Sequence, residues 1–242
     1  MRIPRIYINH SLEVKDTVAL SPEAHRHVVS VLRLREGDRI ILFNGLGNEF
    51  YATITRLEKK ISYAHIDTLQ ENTTQSPLNI ELGISLIKND KFDFAIQKAV
   101  ELGVSSITPL AAERSTIKLD PKRETKRLLH WRGIIQSACE QSGRAYLPEL
   151  NPVNSIDGWL RSSDTPGIVF EPESDQTLST LEIEHSIRII IGPEGGFTDS
   201  ELTTIEQCDF YKVKLGPRIL RAETAVITAL SSLQLLWGDL NI

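Results

Sequence analysis

The run Arg188-Ile189-Ile190-Ile191-Gly192-Pro193-Glu194-Gly195-Gly196-Phe197-Thr198-Asp199-Ser200-Glu201 carries the three signals of one strand-loop-helix unit. Arg188 to Ile191 is a short apolar run typical of a buried central strand. Thr198 with Glu201 three positions later is a capping box, which starts a helix. Between them lie three glycines in five residues. A Gly-Pro turn joining strand to helix accounts for two glycines and leaves the third without a purpose. Glycine permits close backbone approach to a ligand, and in open α/β sheets ligands bind beyond the carboxyl ends of strands. A phosphate loop is the rival. The segment has no Gly-Lys-Ser/Thr ending and no G-x-G-x-x-G fingerprint, and Glu194 would repel phosphate. A cationic cofactor, or one held through backbone amides, suits the loop better.

The same arrangement recurs one strand later. Lys212 to Leu215 reads as a strand, and Leu215-Gly216-Pro217-Arg218-Ile219-Leu220-Arg221-Ala222-Glu223-Thr224-Ala225 follows it, with Arg221 and Glu223 at the entrance of a last helix, Glu223 to Trp237. Two neighbouring strand-end loops of this kind form two walls of one pocket. For Arg218 and Arg221, pairing with Glu223 or Glu194 is an alternative to a functional role. The last helix is apolar almost all round, which predicts burial by the core on one side and room for a second subunit on the other.

Working back towards the N-terminus, strands and helices alternate from Ile80 onward, so a mainly parallel sheet covered by helices is predicted. Its further strands are Ile80 to Ile87, Val104 to Leu110 and Ile168 to Phe170. One helix is capped by Asp90 and stopped by Gly103, and a long one opens at Asp120-Pro121 and ends near Gly143. Before Gln70 the pattern differs. Arg5 to Ile8 is strand-like, Ser21-Pro22 starts a helix to about Leu32, and three β-rich runs at 39–43, 49–57 and 61–69 suggest a small barrel. Gln70 to Pro77 is polar and without apolar period, a linker.

A chain of 242 residues has room for two domains. It opens without the apolar stretch of a signal peptide and has no run of membrane-spanning length, so a cytoplasmic location is expected, with no membrane partner. Cys139 and Cys208 are far apart and lack a His pair, so two reduced, packed thiols are expected, with neither a disulfide framework nor a metal site. The net charge of -5 argues against indiscriminate nucleic-acid binding. Its distribution is uneven: Glu113 to Leu147 holds eight basic and four acidic residues, whereas Glu149 to Ile187 holds eight acidic residues and only Arg161 as a base. An anionic partner would be steered to one face and repelled from another.

The paired motifs Ile191 to Phe197 and Leu215 to Ala225 resemble the 16S rRNA uridine-N3 methyltransferase family, the RsmE type within the SPOUT superfamily. The likeness extends in order through Arg2-Ile3-Pro4-Arg5-Ile6-Tyr7, His27 to Arg33, Lys98 to Gly103 and Gln136 to Ser142, nearly the whole chain. It implies an α/β fold: a SPOUT-like, mainly parallel sheet with a C-terminal trefoil knot at 78–242, preceded by a PUA-like β-barrel domain at 1–70 and a linker at 71–77. It also implies a homodimer and S-adenosylmethionine as methyl donor. By the same resemblance Gly192, Pro193, Glu194, Gly195 and Gly196 lie along the cofactor, Leu215, Gly216, Ile219 and Leu220 line its adenine and methionine ends, and Phe170 forms a third wall.

Arg221 is the candidate catalytic group. Uridine N3 must lose its proton before it accepts a methyl group, and a guanidinium in a dry pocket stabilises the resulting anion. Glu223 is a candidate for removing that proton, with a dipole or salt-bridge role as the alternative. Arg2, Arg5, Arg114, Arg132 and Arg144 are the expected RNA contacts, to 16S rRNA within the small subunit. Two other classes stay open on the residues alone: a non-catalytic RNA-binding or ribosome-assembly factor, and a nucleotide-dependent small-molecule enzyme, which the missing phosphate-loop lysine disfavours.

Overall fold

The computed structural model describes residues 3–241, so Arg2 lies outside the described residues. The chain forms two compact units. The first takes in the residues up to Gln75 together with Gln136–Leu147; the second comprises Ser76–Ile135 and Pro148 onward.

In the first unit, strands β1 (Arg5–Tyr7), β2 (Thr17–Ala19), β3 (Arg39–Phe43), β4 (Asn48–Leu57) and β5 (Ser62–Glu71) form one sheet in the order β1-β3-β4-β5-β2. Only the β1 and β3 pair is parallel. Alternation along β3 to β5 sends Ile40, Leu42, Phe50, Ala52, Ile54, Ala64 and Ile66 into one core with Ile6, Val18 and Val28. Each large apolar side chain so buried contributes about 1.5–3 kcal/mol. The Ser21 hydroxyl accepts from the Ala24 N–H at 3.1 Å and starts α1 (Pro22–Arg26) as expected. The helix does not run on in α form to Leu32. At His27–Val31 it widens into a π-helical turn, a local departure that hydrophobic periodicity does not reveal. β2 is three residues long, too short for an alternation signal.

The second unit is a seven-stranded, wholly parallel sheet in the order β12-β10-β11-β6-β7-β8, with β9 also beside β7. Its strands are β6 (Asn79–Ser85), β7 (Ser106–Ala111), β8 (Glu149–Leu150), β9 (Asn154–Ser155), β10 (Gly167–Phe170), β11 (Ser186–Ile191) and β12 (Phe210–Val213). Helices are α2 (Asn89–Glu101), α3 (Pro121–Ser142), α4 (Ile156–Leu160), α5 (Asp199–Glu206) and α6 (Ala222–Trp237). α2 buries Phe92, Ala95, Ile96, Ala99 and Val100, one stripe at helical spacing, and packs on α6, which buries Val226, Ala229, Leu230 and Leu233. Asp90 does not cap α2: the cap position is Lys88, without a side-chain bond, and Asp90 sits in the first turn, where a carboxylate favours the helix dipole. Thr198 and Glu201 close the expected capping box on α5. β8, β9 and α4 escape sequence reading because two to five residues hold no period.

A fully buried arginine, Arg188 of β11, is the most unusual core group. Its guanidinium donates to the carbonyls of Leu160 at 2.9 Å, Ser163 at 3.1 Å and Trp159, and stacks 4.0 Å from the Trp159 ring. Glu81 on neighbouring β6 lies 3.6 Å from its Nε. Burial lowers the Arg188 pKa, and the Glu81 charge opposes that shift.

Both cysteines are free thiols, and burial pushes Cys139 up to about 11. Among the described residues no helix is long and apolar enough to cross a membrane.

Candidate active site

The carboxyl ends of β10 and β11 open into a cleft of about 400 Å³, where a doubly wound sheet is expected to receive a ligand. Three chain segments make its walls: Phe170, Glu171 and Pro172 after β10; Ile191 to Glu194, Gly196 and Phe197 after β11; and Ile219 to Ala222 with Ala225 at the start of α6. Lys91, from the first turn of α2, completes the lining.

Seven of the ten residues expected along the cofactor, namely Phe170, Gly192, Pro193, Glu194, Gly196, Ile219 and Leu220, line this cleft, and Arg221 lines it too. Gly195, Leu215 and Gly216 do not. Gly195 turns its carbonyl to Arg114, whose Nη1 donates to it at 3.1 Å and to the Phe197 carbonyl at 3.1 Å. Gly216 serves the turn, with φ +75°, a value that side chains rarely adopt. Gly196, at φ +69°, has the same backbone requirement on the cleft wall, and a Cβ there would enter open space. The lining groups that lie outside both motifs and have no signal in the sequence are Lys91, Glu171 and Pro172.

Charge in the cleft is mixed. Arg221 is the N-cap of α6, exposed and without a capping bond, so its guanidinium is available to a ligand. Glu223 is not part of the lining; its Oε1 lies 3.6 Å from the Lys91 ammonium, an ion pair. Of the two roles expected for Glu223, the geometry gives it the salt bridge. Burial raises the Glu171 pKa, with the Lys212 charge opposing it. Among the described residues no group of three His, Cys, Asp or Glu side chains comes together to hold a metal.

The expected RNA contacts fare differently. Arg5 and Arg144 are buried: Arg5 pairs with Glu49 and donates to the Arg144 carbonyl at 3.0 Å, and Arg144 reaches Gln75 at 3.5 Å. A buried guanidinium cannot meet phosphate without abandoning its partners, so these two are corrected to structural groups. Arg132 is exposed on α3. Arg114, expected to contact RNA, is exposed, and its two hydrogen bonds also make it a brace for the Gly192 to Phe197 loop. Arg114→Ala should therefore weaken binding of S-adenosylmethionine, the donor that the resemblance implies, about five- to tenfold, or roughly 1 kcal/mol, the net worth of one ordinary hydrogen bond where water can replace the exposed guanidinium. Calorimetry reads this directly, and wild-type affinity in the variant would remove the brace.

Comparison with known proteins agrees with this geometry. An RNA methyltransferase domain matches residues 74–234, and an RNA methyltransferase PUA domain matches 20–67. The second unit thus has the parallel-sheet α/β methyltransferase fold, and the first is PUA-like. The chain is similar to ribosomal RNA small subunit methyltransferase E of Buchnera aphidicola subsp. Schizaphis graminum, 38% identical over 243 residues with 99% of each chain covered. The Bacillus subtilis protein of the same name is 34% identical, covering 94% of this chain and 95% of that one. Among solved structures, a methyltransferase of Legionella pneumophila in complex with S-adenosylmethionine superposes with TM-score 0.97 at 39% identity, over 99% of this chain and all of that one. The ribosomal RNA small subunit methyltransferase E of Neisseria gonorrhoeae, bound to S-adenosylmethionine, gives 0.93 at 38%, with the same coverage. Likeness of this extent, through both units and across the cleft, means that the chain belongs to the ribosomal RNA small subunit methyltransferase E family.

Proposed function

We propose that this protein methylates N3 of a uridine in 16S ribosomal RNA of the small subunit, using S-adenosylmethionine. The observation that carries the proposal is the convergence of two glycine-bearing loops, after β11 and β12, on one cleft that also holds Arg221. The cleft fits the methyl donor. Its volume lies within the range of small-molecule sites, Gly196 leaves open space where a side chain would stand, and Glu171 and Glu194 supply negative charge for a sulfonium cation. The backbone of Gly192 to Gly196 would hold the cofactor from one side, Ile219 and Leu220 from another, and Phe170 from a third. When bound, S-adenosylmethionine supplies the methyl group.

The chain's own part is electrostatic. Uridine N3 loses its proton, and the negative charge spreads onto the flanking carbonyl oxygens. Arg221, exposed at the mouth of α6 on the cleft wall, stabilises that charge. Lys91, fixed by Glu223, adds a second cation on the same cleft. Arg132, exposed on α3, stands as an RNA contact.

We also read the second unit as carrying a C-terminal trefoil knot and the first as a PUA-like β-barrel. The knotted reading is supported by the course of the last segment, which leaves β12 at the edge of the sheet and returns as α6 to pack on α2 and β11. A homodimer is supported by Leu235 and Leu236, adjacent large apolar side chains 55% and 45% exposed at the end of α6. A ribosomal substrate fits a cytoplasmic enzyme. The test is nucleoside mass spectrometry of 16S rRNA from a strain lacking the protein. One 3-methyluridine should vanish and return with the gene; its persistence would refute the assignment.

A further inference from the structure

The second unit carries another depression, of about 510 Å³, lined by Asn89, Lys118, Arg123, Lys126, Arg127 and His130 over the apolar Ile117 and Leu119. Its basic wall is one face of α3, since positions 123, 126, 127 and 130 follow helical spacing. Lys118 faces them from the preceding loop. Two of these groups have acidic partners: Arg123 lies 3.2 Å from Asp120, and His130 2.7 Å from Asp93. Lys118, Lys126 and Arg127 have no ion pair among the described residues. In a chain of net charge -5, three cations without acidic partners in one groove make a local positive field that an anionic partner can use.

The position of the groove adds a second argument. Asn89, the first residue of α2, lines the groove, and Lys91, two residues on, lines the methyl-transfer cleft. Two residues of a helix advance only ~3 Å along its axis. The two side chains face different sides of the helix, so the groove and the cleft flank the first turn of α2, and a polymer in the groove has only that turn to round to reach the cleft.

We propose that this groove is the track for the phosphate backbone of the RNA, binding successive phosphates on Lys118, Lys126 and Arg127 and delivering the target base beside Lys91. The inference rests on the reading of the chain as an RNA methyltransferase. It moves the RNA surface from the buried Arg5 and Arg144 to a row of exposed or half-buried cations that can exchange their counterions for phosphates.

The experiment measures affinity of the full chain for an unmodified 16S rRNA transcript over a salt series. Lys126→Ala/Arg127→Ala should bind roughly tenfold more weakly at 0.1 M salt, with a log-log slope shallower by roughly 1.4 to 1.8, about 0.7 to 0.9 for each phosphate no longer neutralised. S-adenosylmethionine affinity should stay at the wild-type value, which verifies the fold. Arg161→Ala, which removes one charge from an exposed pair with Asp157, should leave the slope unchanged. Inorganic phosphate at matched ionic strength should displace the transcript no better than chloride; selective displacement would mark a single-anion site and overturn the track. An unchanged slope in the double variant, while the wild type binds and methylates the transcript, overturns the groove and spares the function. A wild-type chain that neither binds nor methylates it overturns both.

Discussion

Arg221→Ala should lower the single-turnover rate of methyl transfer about 10²- to 10³-fold, the range for removing one donor aimed at charge that develops in a reaction. RNA affinity should fall far less, because the neutral uridine offers the guanidinium little before its proton leaves. The geometry favours this separation. Arg221 stands at the N-cap of α6 with its backbone in extended conformation and its side chain on the cleft wall, outside the basic groove. Substitution there removes no core packing, so the fold should persist. Rapid-quench measurement at saturating transcript and cofactor gives the rate. A wild-type rate at saturation, with affinity reduced in proportion, would make Arg221 a binding residue.

Arg188→Ala should act on stability. The side chain is fully buried, and its removal strands the carbonyls of Trp159, Leu160 and Ser163 while opening a void beneath the Trp159 and Phe210 rings. Each stranded acceptor costs about 1–3 kcal/mol, tempered where water enters, and removing one member of a buried charged network costs about 3–5 kcal/mol. At about 2–4 °C per kcal/mol for a chain of this size, the unfolding midpoint should drop by roughly 10 °C. Differential scanning calorimetry checks it, and a drop of under about 2 °C would show that solvent replaces the guanidinium at no cost. Arg188→Lys should recover only part of the stability, since one ammonium cannot reach the carbonyls that the planar fork serves.

The cleft and the network meet on β11. The strand carries Arg188 near its start and runs into the Gly192 loop at its end, so a destabilised strand would also loosen the cofactor wall. That link separates the two variants experimentally: Arg221→Ala keeps its midpoint, whereas Arg188→Ala loses it.

Local chemistry made much of this protein legible as sequence. The capping box at Thr198 and Glu201, the Ser21 cap, the alternation in β3 to β5 and the succession of parallel strands depend on neighbours within a few residues, and residue types carry that information. The two glycine loops could be recognised for the same reason, and so could Arg221 at the mouth of α6. Burial of charge could not. Arg5, Arg144 and Arg188 have the composition of surface residues, and only the packing of segments far apart in the chain makes them interior groups.

Position in space also reassigned residues whose roles local pattern left open. Arg114 lies 81 residues before Gly195 yet braces its loop; Lys91 lies 132 residues before Glu223 yet pairs with it beside the cleft. A sequence records each residue's chemistry and its local period. It does not record which distant side chain will reach it, because that depends on where the sheet order β12-β10-β11-β6-β7-β8 sets each strand end. The strand-loop-helix units, their glycine loops and the family they resemble were therefore determined by the sequence itself. The three-sided cleft, the basic groove across the first turn of α2 from it and the division of arginines between core and surface were decided by tertiary structure alone, since each joins segments that no local pattern connects.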